Sequence, residues 1–190
     1  MWKWCVALAH RVKCEAWRDE MMKMIVESER LEDYLSELEE VDFSHSLIQT
    51  LVNELFHSSQ TELEKIQIAY EYVRDHISHS WDIQSKRVTC RASDVLKYKE
   101  GICYAKTHLL VAILRSQGIP TGFCYQRLIL FDTPEEGYCI HALNAVYVQS
   151  LKRWVRLDAR GNKEGIDAQF SVDEERLAFR VQPELNEKDC

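Results

Sequence analysis

Apolar residues in the first half of the chain recur every three or four positions, a spacing that is typical of amphipathic helices. The charged stretch from Glu15 to Glu40 is predicted to be helical, with an apolar stripe at Met24, Leu31, Leu35 and Leu38. A second helix is predicted from Leu47 to Phe56. A third opens at Ser59, which forms a capping-box pattern with Glu62, and its apolar face consists of Leu63, Ile66, Tyr70, Val73 and Ile77.

A nearly continuous apolar run then predicts a buried helix that begins beside a cysteine. A short helix from Ala92 to Tyr98, capped by Ser93, leads into a turn at Lys99-Glu100-Gly101. The apolar run from Ala105 to Leu114 follows, and Gly118-Ile119-Pro120 ends it. Cys103 falls in the first turn, where unpaired N–H groups and the helix dipole favour an anion. Cys103 is therefore a candidate thiolate nucleophile, and a structural core cysteine is the alternative.

After Pro120 the pattern changes to aromatic and branched residues that are typical of strands. Strands are predicted at Thr121–Phe131, Cys139–Val148, Arg153–Asp158 and Leu177–Val181, with a turn-rich loop at 132–137 and a hairpin connection at 149–152. Because helices come first and neighbouring strands follow, the sequence predicts an α+β fold with an antiparallel sheet.

The composition limits the classes of function. The 190 residues favour one core, predicted at 61–190, with an N-terminal helical extension at 1–60. The net charge of −7 without a basic patch argues against a nucleic-acid partner, and no apolar run reaches the roughly 20 residues that span a bilayer. Seven cysteines without a Cys-x-x-Cys pair argue for a reducing, cytoplasmic location. Residues 1–20 are a candidate non-native leader, with translation starting at Met21, Met22 or Met24.

A thiolate nucleophile needs a base, and the base needs a group that orients it. His108 lies five residues after Cys103, which turns it about 140° away around a helix. His141 lies near the start of the second predicted strand and Asp158 ends the third, so a hairpin can bring the two together. Each alone has an ordinary structural explanation, as a strand histidine and a turn carboxylate. His76 and His79 have a spacing that a metal could use, but no further ligand lies near, and exposure at a helix end is expected.

Three separated motifs resemble the transglutaminase-like superfamily. Gly101-Ile102-Cys103-Tyr104-Ala105-Lys106, with the apolar helix after it, is similar to the nucleophile segment of that family. The stretch 141–148 resembles its histidine strand, and 154–162 its aspartate strand. Further short motifs resemble a bacterial subgroup of transglutaminase-like cysteine protease or amidase-type proteins, and they lie at 73–75, 80–82, 92–96 and 122–126. The resemblance covers about residues 65 to 182.

The resemblance implies a papain-like core in which the nucleophile helix packs on an antiparallel sheet. It also implies that Cys103 is the nucleophile, His141 the general base and then acid, and Asp158 the residue that orients His141. Many family members have tryptophan and glutamate two and four residues after the histidine, where this chain has Leu143 and Ala145. Candidates for a second oxyanion donor, beside the Cys103 backbone N–H, are Gln126, Trp81 and Tyr125.

The sequence therefore predicts thiol-dependent acyl chemistry on an amide bond, either a peptide bond or a glutamine side chain. A thioester intermediate would go to water, which makes a protease or amidase, or to an amine, which makes a cross-linking acyltransferase. Hydrolysis is favoured because nothing in the chain suggests calcium sites or a pocket for a protein amine. No metal or other cofactor is expected, and the expected partner is a peptide or protein substrate. The alternative is a non-catalytic peptide- or protein-binding module with the same fold.

Overall fold

The fold is described by a computed structural model that covers residues 12–15, 23–131 and 134–190. Within these residues the α-helices are α1 (Ser46–Leu55), α2 (Glu62–His76), α3 (Ala92–Tyr98) and α4 (Cys103–Arg115). The strands are β1 (Val12–Glu15), β2 (Lys23–Val26), β3 (Ser78–His79), β4 (Glu100–Gly101), β5 (Thr121–Ile129), β6 (Tyr138–Val148), β7 (Arg153–Leu157) and β8 (Lys188–Asp189). Short 3-10 helices lie at Leu31–Leu35, Pro134–Glu136 and Pro183–Leu185.

The main sheet has the strand order β7-β6-β5-β8, and all of its neighbouring strands are antiparallel. Helix α4 packs against β5 and β6, and every residue from Ala105 to Arg115 is buried. One hydrophobic cluster joins the helices to the sheet, with Ile48 of α1, Ile66 of α2 and Phe123 of β5 among its members. The predicted α+β class, with a buried helix packed on an antiparallel sheet, is confirmed.

The prediction of a helix from Glu15 to Glu40 is wrong for the described part of that stretch. Strands β1 and β2 pair antiparallel there, and the 3-10 helix at Leu31–Leu35 follows. This segment packs on the outer face of the main sheet, where it shields the apolar side chains of Leu143 and Ala145 from water. The buried ring of Tyr34 lies on that face, 4.8 Å from the ring of Trp154. Tertiary burial therefore overrides the local helical preference of this charged segment.

The third predicted helix exists as α2, but it is capped two residues later than predicted. The Thr61 hydroxyl accepts a hydrogen bond from the Glu64 N–H, and the Glu64 carboxylate accepts one from the Thr61 N–H at 2.7 Å. The predicted partner Glu62 instead accepts hydrogen bonds from the backbone N–H groups of Gln149 and Ser150 in the β6–β7 turn. This contact ties α2 to the sheet.

The prediction of a strand at Leu177–Val181 is also wrong. The fourth strand of the main sheet is β8, which pairs with Gln126 and Arg127 of β5. Residues 177–181 lack regular structure because the Ala178 N–H donates to the Asp158 carboxylate instead of joining a strand ladder.

The predicted leader at residues 1–20 lies mostly outside the described residues. Strand β1 is the part of it that the structure describes. The predicted boundary at residue 60 between extension and core stays a prediction. In the described part of the chain, no helix combines the length and the apolar character that a bilayer span requires.

Candidate active site

Cys103 is the first residue of α4, and the local sequence leaves the end of this helix open. The residue before it, Ile102, makes no side-chain capping hydrogen bond. The first N–H groups of an α-helix have no partner within the helix, so they are available to a negatively charged atom. Gly101 is required before this turn, because a Cβ there would lie 2.8 Å from the Cβ of Ala105. The Cys103 side chain is mostly buried, with 7% of the residue exposed.

His141 and Asp158 form a buried pair beside this cysteine. His141 Nε2 lies 2.8 Å from Asp158 Oδ2, and because a carboxylate only accepts, Nε2 carries the proton. The Cys103 thiol lies close enough to His141 to raise the pKa of the imidazole, and Nδ1 is the ring nitrogen that remains to take the thiol proton. The Phe179 ring stands edge-on to the imidazole at 5.0 Å. The structure thus brings together the three residues that the sequence predicts as a triad.

The Asp158 carboxylate is held by backbone donors as well as by the histidine. Its Oδ1 accepts from the Arg160 N–H and its Oδ2 from the Ala178 N–H, both at 3.1 Å. Burial opposes ionisation, but the charge of His141 and these hydrogen bonds lower the pKa of Asp158. Burial would likewise lower the pKa of His141, yet Asp158 and Cys103 outweigh it and raise this pKa to about 10. The arrangement therefore favours an imidazolium next to the thiol.

The Cys103–His141 pair opens into a cleft of about 910 Å³. Its walls are mainly apolar, and they include Ile102, Leu128, Ile129, Leu130, Phe131, Ile140, Phe179 and Val181. Trp81 lies on the rim with 56% of its surface exposed, and Phe131 is 62% exposed. Cys139 also lines the cleft, and burial, with a contribution from Cys103, raises the pKa of its thiol.

A second charged group supports the cleft behind the triad. The Arg160 guanidinium binds both oxygens of Asp82, at 2.6 and 2.8 Å, and Lys163 Nζ lies 2.8 Å from the same carboxylate. The side chain of His79 lies beside them and is 9% exposed, with Nδ1 4.0 Å from Asp82 Oδ2. Burial and the charge of Arg160 lower the pKa of His79 to about 3. His79 therefore lines the cleft as a neutral imidazole at physiological pH.

Lys106 lies one turn after the cysteine and is buried in the structure. Its ammonium group donates to the backbone carbonyl oxygens of Ile77 and, at 3.3 Å, of Arg74 at the end of α2. Burial and the charge of Arg160 lower the pKa of Lys106 to about 7. This side chain fixes the start of α4 against the end of α2, from which the chain continues to His79 and Trp81.

The sequence-predicted oxyanion candidates do not all reach the cleft. Trp81 lines it, but Tyr125 lies in the hydrophobic core with its ring 5.9 Å from that of Tyr104. Gln126 is opposite His141 in the β5–β6 pairing, yet its amide donates to Asp189 at 3.2 Å on the far side of the cleft wall.

Sequence reasoning missed four residues of the site: His79, Arg160, Ala178 and Phe179. His79 was expected to be exposed at a helix end, and the spacing of the sequence carries no sign of its burial. Arg160 could have been noticed as a charged residue two positions after Asp158. The other two contribute through a backbone N–H and an aromatic edge, for which no sequence motif exists. Among the described residues, no group of three histidine, cysteine, aspartate or glutamate side chains is placed to hold a metal ion.

Comparison with known proteins identifies the family of the chain. The profile of the Transglutaminase-like superfamily matches residues 49–159, a range that contains Cys103, His141 and Asp158. No curated protein sequence matches the chain. A candidate cysteine protease from Cytophaga hutchinsonii has a similar structure, with a TM-score of 0.54 and 16% identity, over 70% of this chain and 43% of its own.

Two further solved structures are more distant. One is a TGase with 20% identity and a TM-score of 0.47, matched over 67% of this chain and 34% of its own. The other is the periplasmic domain of TgpA from Pseudomonas aeruginosa, with 15% identity and a TM-score of 0.48, over 72% and 50% of the two chains. The chain thus spans half or less of each of these proteins. The family profile covers more than half of this chain, and the chain belongs to the transglutaminase-like superfamily.

Proposed function

We propose that this protein carries out thiol-dependent acyl chemistry on amide bonds, with Cys103 as nucleophile, His141 as base and acid, and Asp158 as the group that orients His141. The observation that supports the proposal best is the position of His141. Its Nε2 lies 2.8 Å from Asp158, and its ring lines the same open cleft as Cys103, whose thiol is near enough to raise the pKa of the imidazole. A nucleophile, its base and an orienting carboxylate in this order are what such chemistry needs.

In the proposed reaction the proton of the Cys103 thiol rests on His141, and the thiolate attacks the amide carbonyl carbon. The C–S bond forms, and the carbonyl electron pair moves to oxygen. His141 then gives its proton to the amide nitrogen, the C–N bond breaks, and an amine leaves behind a thioester. Water next attacks the thioester carbonyl carbon while His141 takes one of its protons. The carbonyl electron pair re-forms the C=O bond, the C–S bond breaks, and the proton on His141 returns to the Cys103 sulfur. The products are a carboxylic acid and the regenerated thiol.

The oxyanion of each tetrahedral intermediate needs hydrogen-bond donors that are already in place. The Cys103 backbone N–H, at the uncapped start of α4, is the first donor that we propose. Trp81 is the second, because its indole N–H only donates and its side chain lies on the cleft rim. Loss of one such donor costs roughly 2.7–4 kcal/mol of transition-state stabilisation in enzymes where it has been measured.

The cleft favours substrates that carry apolar groups next to the reacting amide. Trp81 and Phe131 expose more than half of their surface at this cleft, and exposed aromatic groups around a reactive centre are typical of binding sites. We propose peptide or protein substrates with aromatic or aliphatic side chains near the amide. Hydrolysis is the favoured outcome, and transfer to an amine is the other outcome of the test.

The direct test is turnover of peptide pools that contain internal glutamine, followed by mass spectrometry with and without a fluorescent primary amine. Hydrolysis of peptide bonds gives fragments, glutamine deamidation adds one mass unit, and amine transfer gives a labelled peptide. The matched variants are Cys103→Ala and Cys190→Ala, which remove one thiol each. We expect all products to disappear in the first variant and to persist in the second. Equal turnover in both would contradict the proposal.

A non-catalytic binding module is the second candidate, and a specific observation favours it. Where many relatives have tryptophan and glutamate after the histidine, Leu143 and Ala145 are packed in the outer hydrophobic cluster. On this alternative the cleft binds an apolar peptide without cleaving it. Peptides that bind the wild-type protein with the same Kd as Cys103→Ala, and are recovered intact after long incubation, would support this alternative.

We also propose that the protein acts in the cytoplasm, without a nucleic-acid or membrane partner. This proposal depends on the odd number of cysteines and on the acidic net charge of −7. Rapid alkylation of the intact source cells, followed by mass spectrometry of the cysteine peptides, tests the compartment. Reduced cysteines are the expected result, and stable disulfides would contradict it.

A further inference from the structure

The wall of the cleft that covers His141 and Asp158 has no regular secondary structure along most of its length. We call residues 175–189 the C-terminal wall. It provides eight cleft-lining residues, and they are Ala178, Phe179, Arg180, Val181, Gln182, Pro183, Glu184 and Glu187. Behind it lies a smaller cavity of about 430 Å³, which several of the same residues also line. A segment with a cavity on each side needs attachment from outside its own backbone.

Arg156 of β7 attaches the wall at both of its ends, and at the Asp189 end it adds to the pairing of β8 with β5. Its Nε lies 2.6 Å from Glu175 Oε1 and its Nη2 lies 2.6 Å from Glu175 Oε2, which makes a bidentate pair. Its Nη1 lies 2.5 Å from Asp189 Oδ1. The guanidinium is almost completely buried, and the Asp189 carboxylate is 8% exposed. Bidentate arginine–carboxylate pairs combine directional geometry with strength, and burial limits competition from water.

The wall touches the catalytic pair at two points between these attachments. The Ala178 N–H donates to Asp158 Oδ2, the oxygen that also binds His141. The Phe179 ring packs edge-on against the imidazole at 5.0 Å. A backbone N–H on the shared oxygen stabilises the carboxylate form of Asp158, and the ring limits rotation of His141. Both contacts depend on where residues 178 and 179 lie.

We infer that Arg156 is a positioning residue for the triad, because it fixes the C-terminal wall at Glu175 and Asp189 and thereby holds Ala178 on Asp158 and Phe179 on His141. This inference rests on the proposed function of Cys103, His141 and Asp158. Arg156 itself does not line the catalytic cleft and lies in the smaller cavity on the other side of the wall. It acts on the reaction only through the segment that it holds.

The test compares alkylation of Cys103 by iodoacetamide at pH 6 and at pH 9.5 in Arg156→Met, Arg156→Lys and Glu175→Gln. Alkylation at pH 6 needs the imidazole to take the thiol proton, whereas at pH 9.5 free thiols ionise without help. The ratio of the two rates therefore reports the Cys103–His141 pair separately from access to the cleft. His79, Cys139 and Arg160 surround the pair in every variant, so their contribution is common to all.

We expect the ratio of the pH 6 rate to the pH 9.5 rate to fall at least tenfold in Arg156→Met. Arg156→Lys keeps the charge but not the bidentate geometry, and Glu175→Gln keeps the contact between Arg156 and Asp189. The rate ratios of these two variants should therefore lie between that of Arg156→Met and that of the wild type. The control is Arg153→Met on the same strand, whose guanidinium binds the Val172 carbonyl outside the wall. It should keep the wild-type ratio.

The outcomes separate the two proposals. The positioning role alone would be overturned by two results together. Glu175→Gln and both Arg156 variants would keep the wild-type ratio, and the ratio of the wild type would be more than tenfold that of His141→Ala. A wild-type ratio no higher than that of His141→Ala would overturn the proposed function together with this inference. If Arg156→Met does not fold, Glu175→Gln decides, because it removes a carboxylate that is 37% exposed and leaves Arg156 paired with Asp189.

Discussion

The buried pair of His141 and Asp158 should make the stability of the protein depend on pH in a specific direction. The folded state raises the pKa of His141 from its ordinary 6.5 to about 10. A group whose pKa is raised by folding contributes stability that is complete below the unfolded pKa and is lost as the pH rises through the folded pKa. Asp158 has the opposite sign, because its lowered pKa makes its contribution disappear only at acidic pH.

The size of the effect follows from this difference in pKa. About 3.5 pH units at roughly 1.36 kcal/mol each give about 5 kcal/mol in total, of which about 3 kcal/mol is lost between pH 7 and pH 9.5. Solvent screening should reduce it little, since the His141 side chain is 5% exposed. In Asp158→Asn the charge that raises the pKa is gone and burial remains, so the pKa of His141 should fall below 6.5. The titration of His141 should then change the free energy of unfolding of Asp158→Asn very little between pH 7 and pH 9.5.

The assay is urea unfolding, followed by tryptophan fluorescence, at pH 7 and at pH 9.5 for the wild type and for Asp158→Asn. Other groups also titrate in this range, and among them Lys106 is affected by Asp158. Burial and Arg160 dominate its pKa, and both Asp158→Asn and the control Asp75→Asn remove a carboxylate that raises it. We expect the wild type to lose about 3 kcal/mol more than the variant as the pH rises. Asp75→Asn is the control, because this surface carboxylate is 47% exposed. Parallel pH dependences in the wild type and Asp158→Asn would refute the reasoning.

Three further predictions concern the surroundings of the triad. Gly101→Ala places a Cβ 2.8 Å from the Cβ of Ala105, so the free energy of unfolding should fall by about 1–3 kcal/mol, measured in urea. Trp81→Ala should keep the stability of the wild type, since the side chain is mostly exposed, but lower the rate of Cys103 acylation by an activated ester about 100-fold. Thr61→Ala removes the hydroxyl that accepts from the Glu64 N–H and should lower the free energy of unfolding by about 1 kcal/mol, with alkylation of the cleft thiol unchanged.

The proximity of Cys103, His141 and Asp158 could be predicted from the sequence because these residues lie near the ends of elements with clear patterns. The apolar run after Cys103 indicates a buried helix, and α4 begins at that residue. The hairpin of β6 and β7 places Asp158 17 residues after His141, so pairing of the two strands brings their side chains together. Hydrophobic periodicity and turn residues are local signals. They predict an element correctly where the folded protein buries that element on the face that the pattern indicates.

The parts that could not be predicted depend on contacts between distant segments. The stretch around Tyr34 has a helical composition, yet it forms a strand and a 3-10 helix, since the outer face of the sheet has to be covered. The C-terminal wall resembles a strand in composition, but Arg156 and Asp158 hold it in an irregular path. The side chain of His79 is covered by Arg160 and Asp82, and although Asp82 lies three residues away, Arg160 is too distant in sequence to suggest a common cluster.

The most direct test of the central claim is the rate of iodoacetamide labelling at each cysteine, read by peptide mass spectrometry as the pH is varied. If His141 holds the thiol proton, Cys103 should react quickly at pH 6 and at least ten times faster than Cys190, and His141→Ala should remove this advantage while it leaves Cys190 unchanged. A Cys103 that reacts at pH 6 no faster than Cys190, or equally fast in His141→Ala, would contradict the claim that these residues form a catalytic pair.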